Sequence, residues 1–162
     1  MWKDERKNMK KNMLILICAS AISIVGCQKN VANVQSSILS SGGTLSIPVS
    51  ELSSRTSFYP VTVDGTKMEI IAGRASDGTI RTAFNTCQVC YDSGNGYYKL
   101  DGDNLVCQNC GNVFTIDDVG IESGGCNPWP ILESDRSIAD GYVQISYDFL
   151  DSEKSVFAKW DK

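Results

Sequence analysis

The sequence predicts a mainly β protein, a small antiparallel β domain, and three observations lead there. Short runs rich in Val, Ile, Thr, Tyr and Phe recur between Asp-Gly and Gly-Asp turn signals. No segment beyond the N-terminal apolar run sustains a long 3.6-residue period. Two Cys-x-x-Cys pairs each follow a predicted strand, as metal-binding hairpins require.

Taken in order, residues 44–49 form the first expected strand, with a brief helical turn over 50–53. Residues 57–63 form the second, stopped by Asp64-Gly65. Residues 67–72 and 79–84 flank Ser76-Asp77-Gly78, an Asp-Gly turn that closes a hairpin. Residues 97–100 and 104–106 flank Asp101-Gly102-Asp103, a second hairpin. The twelfth-position Glu and sixth-position Gly of a calcium loop are not in place there. Near the end, 142–147 and 155–160 alternate well enough to read as strands.

The first 26 residues read as a lipoprotein signal. Lys3, Arg6, Lys7, Lys10 and Lys11 precede an apolar run over 13–25 that ends at Gly26 before Cys27. Thirteen residues at 1.5 Å each span roughly 20 Å, short of the roughly 30 Å hydrocarbon core, so a simple transmembrane helix is the weaker reading. Ile24-Val25-Gly26-Cys27 is similar to a bacterial lipobox, in which the Cys is acylated and becomes the first mature residue. The expectation is a lipid anchor at Cys27 on the extracytoplasmic face of the cell membrane. Residues 28–43, rich in Ser, Asn, Gln and Gly, read as a flexible tether, and 44–162 as the β-rich metal-binding domain.

Composition excludes several functions. The chain has 162 residues, seven cysteines and no histidine. It therefore has no Ser-His-Asp or Cys-His nucleophile, no His-ligated zinc, no His-ligated Rieske centre and no CxxCH haem site. Residues 27–162 carry 10 Lys and Arg against 17 Asp and Glu, a net charge of −7, which argues against nucleic acid as a partner. Asp117-Asp118 and Glu122 fall in a loop-like stretch with no nucleophile or acid-base pair nearby. An enzyme is not expected.

The chemistry lies in Cys87-Gln88-Val89-Cys90, a spacer of 16 residues, and Cys107-Gln108-Asn109-Cys110-Gly111. Each pair makes a tight knuckle that presents two thiolates to a common ion, and Gly111 supplies the positive φ such a turn often needs. Four thiolates suit zinc, a single iron or an iron-sulfur cluster, and spacing alone does not choose among them. Two disulfides are the metal-free alternative; a bond within CxxC is usually strained and redox-active rather than structural. Cys126, in Gly124-Gly125-Cys126-Asn127-Pro128-Trp129-Pro130-Ile131, is left over. It is either an extra or exchangeable ligand or a buried free thiol.

The order CxxC, aromatic hairpin, CxxCG, Phe114 and then a Gly-rich loop ending in Pro128-Trp129-Pro130-Ile131 resembles the cluster-binding half of a Rieske domain. Here cysteine stands at both Rieske histidine positions, and the first motif is one residue longer. The sequence resembles the FtrD-like family of membrane iron-sulfur proteins more closely. That resemblance rests on Ile47-Pro48, Ser50-Glu51-Leu52, Phe58-Tyr59, Asp77-Gly78, the run from Arg81 through Cys87 and Cys90 to Tyr91, and Gly96-Tyr97. It continues through Leu105-Val106-Cys107 to Gly111, Phe114 and Gly124 to Pro128, over roughly 44–132.

The resemblance implies an iron-sulfur protein associated in some bacteria with high-affinity iron uptake, with an inferred electron-transfer role and a metal transporter or redox protein as partner. Many members carry this domain behind several membrane helices, where this chain has the lipid-anchor signal. On that reading Cys87, Cys90, Cys107 and Cys110 hold a [2Fe-2S] cluster or one iron, with Cys126 as a further candidate. Tyr91, Tyr97, Phe114 and Trp129 are the aromatic side chains available to exclude water. The alternative is a structural zinc site of zinc-ribbon-like hairpins without redox activity. A thiol-disulfide exchanger is the third reading, but no thioredoxin-like βαβ pattern surrounds either CxxC.

Overall fold

A computed structural model describes residues 36–121 and 125–162. The expected signal segment, Cys27, the first part of the expected tether and Glu122 lie outside the described residues. The strands are β1 (Ser37–Leu39), β2 (Thr44–Pro48), β3 (Ser57–Val63), β4 (Thr66–Arg74), β5 (Ile80–Cys87), β6 (Tyr98–Asp101), β7 (Asn104–Cys107), β8 (Val113–Phe114), β9 (Pro128–Pro130), β10 (Ser137–Ala139) and β11 (Tyr142–Ser146). One helix, α1 (Tyr147–Glu153), follows β11. The described residues are thus mainly β, as the sequence predicts, and no helix among them is long and apolar enough to cross a membrane.

The strands form three sheets: a five-stranded one ordered β1-β3-β4-β5-β9, and two of three strands, β10-β11-β2 and β6-β7-β8. All pairings are antiparallel except β1 with β3. The two-residue turns explain much of this register. Asp64 and Gly65 have φ of 46° and 80° between paired Val63 and Thr66. Asp140 and Gly141 have 52° and 80° between paired Ala139 and Tyr142. Positive φ at both central positions gives the turn whose twist matches the flanking strands.

The five-stranded sheet is covered on both faces. Val61, Ile70, Ala72 and Phe84 face Leu45, Ile47, Val143, Ile145 and the C-terminal helical segment. Ile71 and Ala83 face Tyr98, Leu105, Ile116 and Val119. This accounts for the nearly unbroken burial of β4 and β5, against the alternation along β3. Gly73 belongs to the same close packing: a Cβ there would meet the Ile116 side chain at 2.8 Å.

The structure departs from the sequence reading at four places. Residues 155–160, expected as a strand, instead continue α1 through a 3₁₀ turn at Lys154–Phe157. Ser146 caps that helix by accepting from the Phe149 N–H at 3.2 Å. Phe149 then stacks on Phe84 with centroids 5.8 Å apart, and Phe157 meets the same ring edge-on at 5.6 Å. A seven-residue helix is too short to show its period, so this contact decides the conformation. Ser37–Leu39, inside the stretch read as a tether, pairs with β3. Strand β10 is signalled only by its Asp-Gly turn. Strand β9 is Pro-Trp-Pro, which an edge position tolerates because one side needs no N–H donors.

One buried side chain joins the large sheet to β6. Asn85, fully buried on β5, accepts the Tyr98 N–H at 2.7 Å and donates to the Tyr98 carbonyl at 3.2 Å and to Glu69 at 2.5 Å. Replacing Asn85 by Leu strands the Tyr98 N–H and carbonyl and takes one of two partners from Glu69, which keeps Lys162. Its expected cost is about 3 kcal/mol, given about 1–3 kcal/mol for each buried group left unsatisfied. Urea unfolding of the variant checks this value.

Candidate metal centre

Three chain segments bring the cysteines together. The first is the end of β5, where the register with β9 shifts between Phe84 and Cys87, re-aiming the last residues of the strand. The Cys87 N–H donates to the Gly96 carbonyl at 2.6 Å, and the Cys90 N–H reaches the Cys87 sulfur at 3.4 Å. The 3₁₀ turn at Tyr91–Ser93 follows, anchored by the Ser93 N–H on the Cys90 carbonyl at 2.9 Å. Gly96 must lack a side chain, since a Cβ would run into the backbone of Cys90 and Tyr91.

The second segment is the end of β7. The Cys107 N–H donates to the Asn112 carbonyl, and the Gly111 N–H, with φ of 75°, closes back on the Cys107 carbonyl, both at 2.9 Å. The Gln108 N–H donates to the Tyr97 carbonyl at 2.8 Å, tying this knuckle to β6. The third is the stretch from Cys126 into β9. The Gln88 N–H donates to the Asn127 carbonyl at 3.1 Å, and its side-chain amide to the Pro128 carbonyl at 3.3 Å. The Tyr98 hydroxyl donates to the Cys126 carbonyl, and the Cys87 thiol lies 3.4 Å from the same oxygen.

The Sγ atoms of Cys87, Cys90, Cys110 and Cys126 all lie within 4.8 Å of one another. Cys107 is outside that group yet within hydrogen-bonding reach of the Cys110 sulfur. None of the five forms a disulfide in the structure. Cys87, Cys90 and Cys107 are buried, Cys126 is half-buried and Cys110 is exposed. The site thus has a buried floor and one sulfur at the surface.

Crowding shapes the electrostatics. Burial pushes the Cys107 thiol up to about 12 and raises Cys90 as well. The hydrogen bond with Cys110, followed by burial, pushes Cys126 up to about 12. For Cys110, burial acts upward but is outweighed by hydrogen bonds from the Asn112 backbone and the neighbouring sulfurs, and its thiol falls below the usual range. Several thiolates cannot share so small a volume without a cation, and a bound cation reverses this balance by deprotonating its ligands.

The donor set fits an iron-sulfur group, whose ligands are Cys thiolates. It fits a single tetrahedral ion too: with metal-sulfur bonds of about 2.3 Å, the sulfurs of such a site are about 3.8 Å apart. The aromatic surroundings differ from the sequence expectation in detail. Phe114 packs with the cysteine-bearing cluster, edge-on to Tyr98 at 6.0 Å. Tyr91 and Trp129 meet edge-on at 5.7 Å beside the other core, and Tyr97 packs on Trp160 at 6.3 Å.

Sequence reasoning missed Tyr98, Asn85 and Gln88. Alternation along β6 signals that Tyr98 points inward, but nothing local reveals that its hydroxyl meets residue 126. Asp117 and Asp118 are structural: Asp117 accepts the Ser76 N–H at 2.6 Å, and Asp118 accepts the Thr115 N–H and hydroxyl at 2.8 and 2.7 Å.

No curated protein matches the sequence. Among solved structures, a quaternary ammonium Rieske monooxygenase, CntA, in complex with an inhibitor aligns with a TM-score of 0.43 and 18% identity, over 65% of this chain and 31% of that one. A naphthalene 1,2-dioxygenase variant bound to phenanthrene aligns with a TM-score of 0.42 and 17% identity, over 65% of this chain and 26% of that one. This chain therefore spans about a third or less of those chains. The sequence profile described as membrane iron-sulfur containing protein FtrD-like matches residues 49–157, which include all five described cysteines. The chain belongs to the FtrD-like family of membrane iron-sulfur containing proteins.

Proposed function

We propose that this protein is a lipid-anchored, extracytoplasmic electron carrier that serves metal-ion uptake, using an iron-sulfur group held by cysteine. The observation that carries the reading is the convergence of the two CxxC knuckles and Cys126, with four sulfurs within 4.8 Å, in a chain of an iron-sulfur family. When bound, such a group supplies a one-electron couple.

The chain's own residues hold and tune it. Cys87, Cys90, Cys110 and Cys126 are the proposed ligands. Cys107, expected as a ligand from the CxxC spacing and the family resemblance, becomes in this reading the buried hydrogen-bonding neighbour of Cys110. The Cys90 N–H tunes the Cys87 sulfur, Tyr98 and Gln88 hold the Cys126 stretch against the first knuckle, and Phe114 excludes water. The exposed sulfur of Cys110 marks the edge through which an electron leaves or enters. A second reading, a single iron or a structural zinc, is favoured by the small size of the sulfur cage.

Anaerobic purification followed by iron, zinc and acid-labile sulfide analysis separates these readings. The expected result is iron with sulfide and a midpoint potential near the plant-ferredoxin value of about −400 mV, because all-thiolate ligation leaves more negative charge than histidine ligation. Stoichiometric colourless zinc sinks the electron-transfer reading, and iron without sulfide identifies a mononuclear site.

Alkylation mapping of the metal-loaded wild type tests the ligand set. Cys126 is expected to be protected and to react once the metal is stripped by chelator. Cys126→Ser should lose the metal, whereas Cys107→Ala should keep it with a lower potential. Tyr98→Phe keeps the ring volume and should release metal faster to chelator. Equal alkylation of Cys126 with and without metal removes it from the ligand set.

Cys27→Ser should move the protein from the detergent phase to the aqueous phase in phase partitioning and abolish incorporation of labelled fatty acid. Unchanged partitioning rules out the lipid anchor.

A further inference from the structure

Five cysteines gather where the proposed ligand set takes four, and the surplus thiol stands beside the exposed one. Cys110 lies at the surface, whereas Cys107, three residues earlier in the same knuckle, is only 1% exposed. Their side chains are hydrogen-bonded to each other. The Gly111 N–H on the Cys107 carbonyl and the Cys107 N–H on the Asn112 carbonyl, both at 2.9 Å, keep the knuckle closed around the pair. Backbone N–H groups of Cys110 and Asn109 donate to the Cys107 sulfur.

Exposure decides which sulfur a dissolved oxidant meets first, and here that sulfur is Cys110. Cys90 and Cys126 also reach the Cys110 sulfur, but both are proposed ligands, with lone pairs engaged by the metal. Cys107 alone among the five carries no metal bond on that reading. Its burial keeps it a thiol until its neighbour has reacted.

We propose that Cys110 is a site of oxidation by hydrogen peroxide and Cys107 its resolving thiol, so that a reversible Cys107–Cys110 disulfide forms as the metal is released. This inference rests on the ligand set proposed above. In the first step the Cys110 sulfur attacks peroxide and the O–O bond breaks. One oxygen becomes the sulfenic hydroxyl, and the other leaves as hydroxide, which solvent protonates. In the second step the Cys107 sulfur attacks the Cys110 sulfur, the S–O bond breaks, and the Cys107 proton departs with the hydroxyl as water. The two sulfurs give up the two electrons that peroxide takes, and Cys110 no longer serves as a ligand. A thiol reductant reopens a bond within CxxC, whereas sulfinic and sulfonic acids at Cys110 are not reopened.

The test treats the metal-loaded full chain with hydrogen peroxide, while a coloured chelator reports released metal. A zinc-loaded sample run in parallel excludes iron-peroxide chemistry, because zinc has no redox chemistry of its own. Cleavage before aspartate then separates the cysteines into peptides 77–91, 103–116 and 118–134 for mass spectrometry. The expected result is metal release with peptide 103–116 lighter by two hydrogens, and recovery of metal binding after thiol reduction. In Cys107→Ala the same peptide should instead gain two or three oxygens, and metal binding should not recover. The proposal is overturned if wild-type peptide 103–116 gains oxygens, stays unreacted or becomes joined to 77–91 or 118–134, or if Cys107→Ala recovers its metal as fully as the wild type. A Cys107→Ala chain that takes up no metal removes the proposed ligand set, and the wild-type peptide masses then decide alone. A wild type that purifies without metal sinks the electron-carrier reading, and the same peptide masses, read on the reduced chain, still decide this one.

Discussion

The Asn85 side chain, buried on β5, gives Tyr98 the pair of hydrogen bonds that an adjoining strand would otherwise supply, and so joins two sheets whose strands do not pair directly. Its amide also engages Glu69, which accepts from Lys162 in turn, so the buried carboxylate is not left unpaired. From Tyr98 the constraint passes outward. Its backbone is fixed by Asn85, its ring packs on Phe114, and its hydroxyl reaches the Cys126 carbonyl. One amide thus fixes β6 relative to β5, and with it the placement of the second and third cysteine segments against the first.

This arrangement places the sulfurs on rigid elements. Cys87 and Cys107 end strands, and the knuckle backbones close on themselves through hydrogen bonds to Gly96, Asn112 and Cys107. Cys126 has no strand of its own and depends on contacts from Gln88 and Tyr98. The β5–β9 register, with Cys87 opposite Pro128, holds the stretch that follows it. The cysteine whose role spacing left open is therefore the one held entirely by tertiary contacts.

The five-stranded sheet separates two cores with different duties. One, around Phe84 and the C-terminal helical segment, is built of aliphatic and aromatic side chains and holds no cysteine. The other includes Cys87, Cys90 and Cys107 among its buried residues and leaves Cys110 at the surface. Embedding sulfur in an apolar shell lowers the local dielectric and raises the cost of unpaired thiolate charge. That shell is why the Cys90 and Cys107 thiols resist ionisation where the donors gather.

Most of the strand content was legible in the sequence, because alternation and Asp-Gly turns are local signals that the backbone obeys without help from distant residues. The two knuckles were legible for the same reason: a spacing of three residues is a property of the chain itself. What depends on contacts between remote residues was not. The C-terminal segment became helical because Phe149 and Phe157 pack on Phe84, far away in the chain. Strand β9 forms because β5 offers a free edge.

The same division runs through the site. By itself the sequence determined that cysteine, and never histidine, would do the binding, and that two pairs would present it. Only the tertiary structure decided that Cys126, 39 residues beyond Cys87, would join three of those sulfurs while Cys107 stayed behind Cys110. Local spacing fixes which thiols share a turn; the packing of three separate segments fixes which sulfurs share a centre.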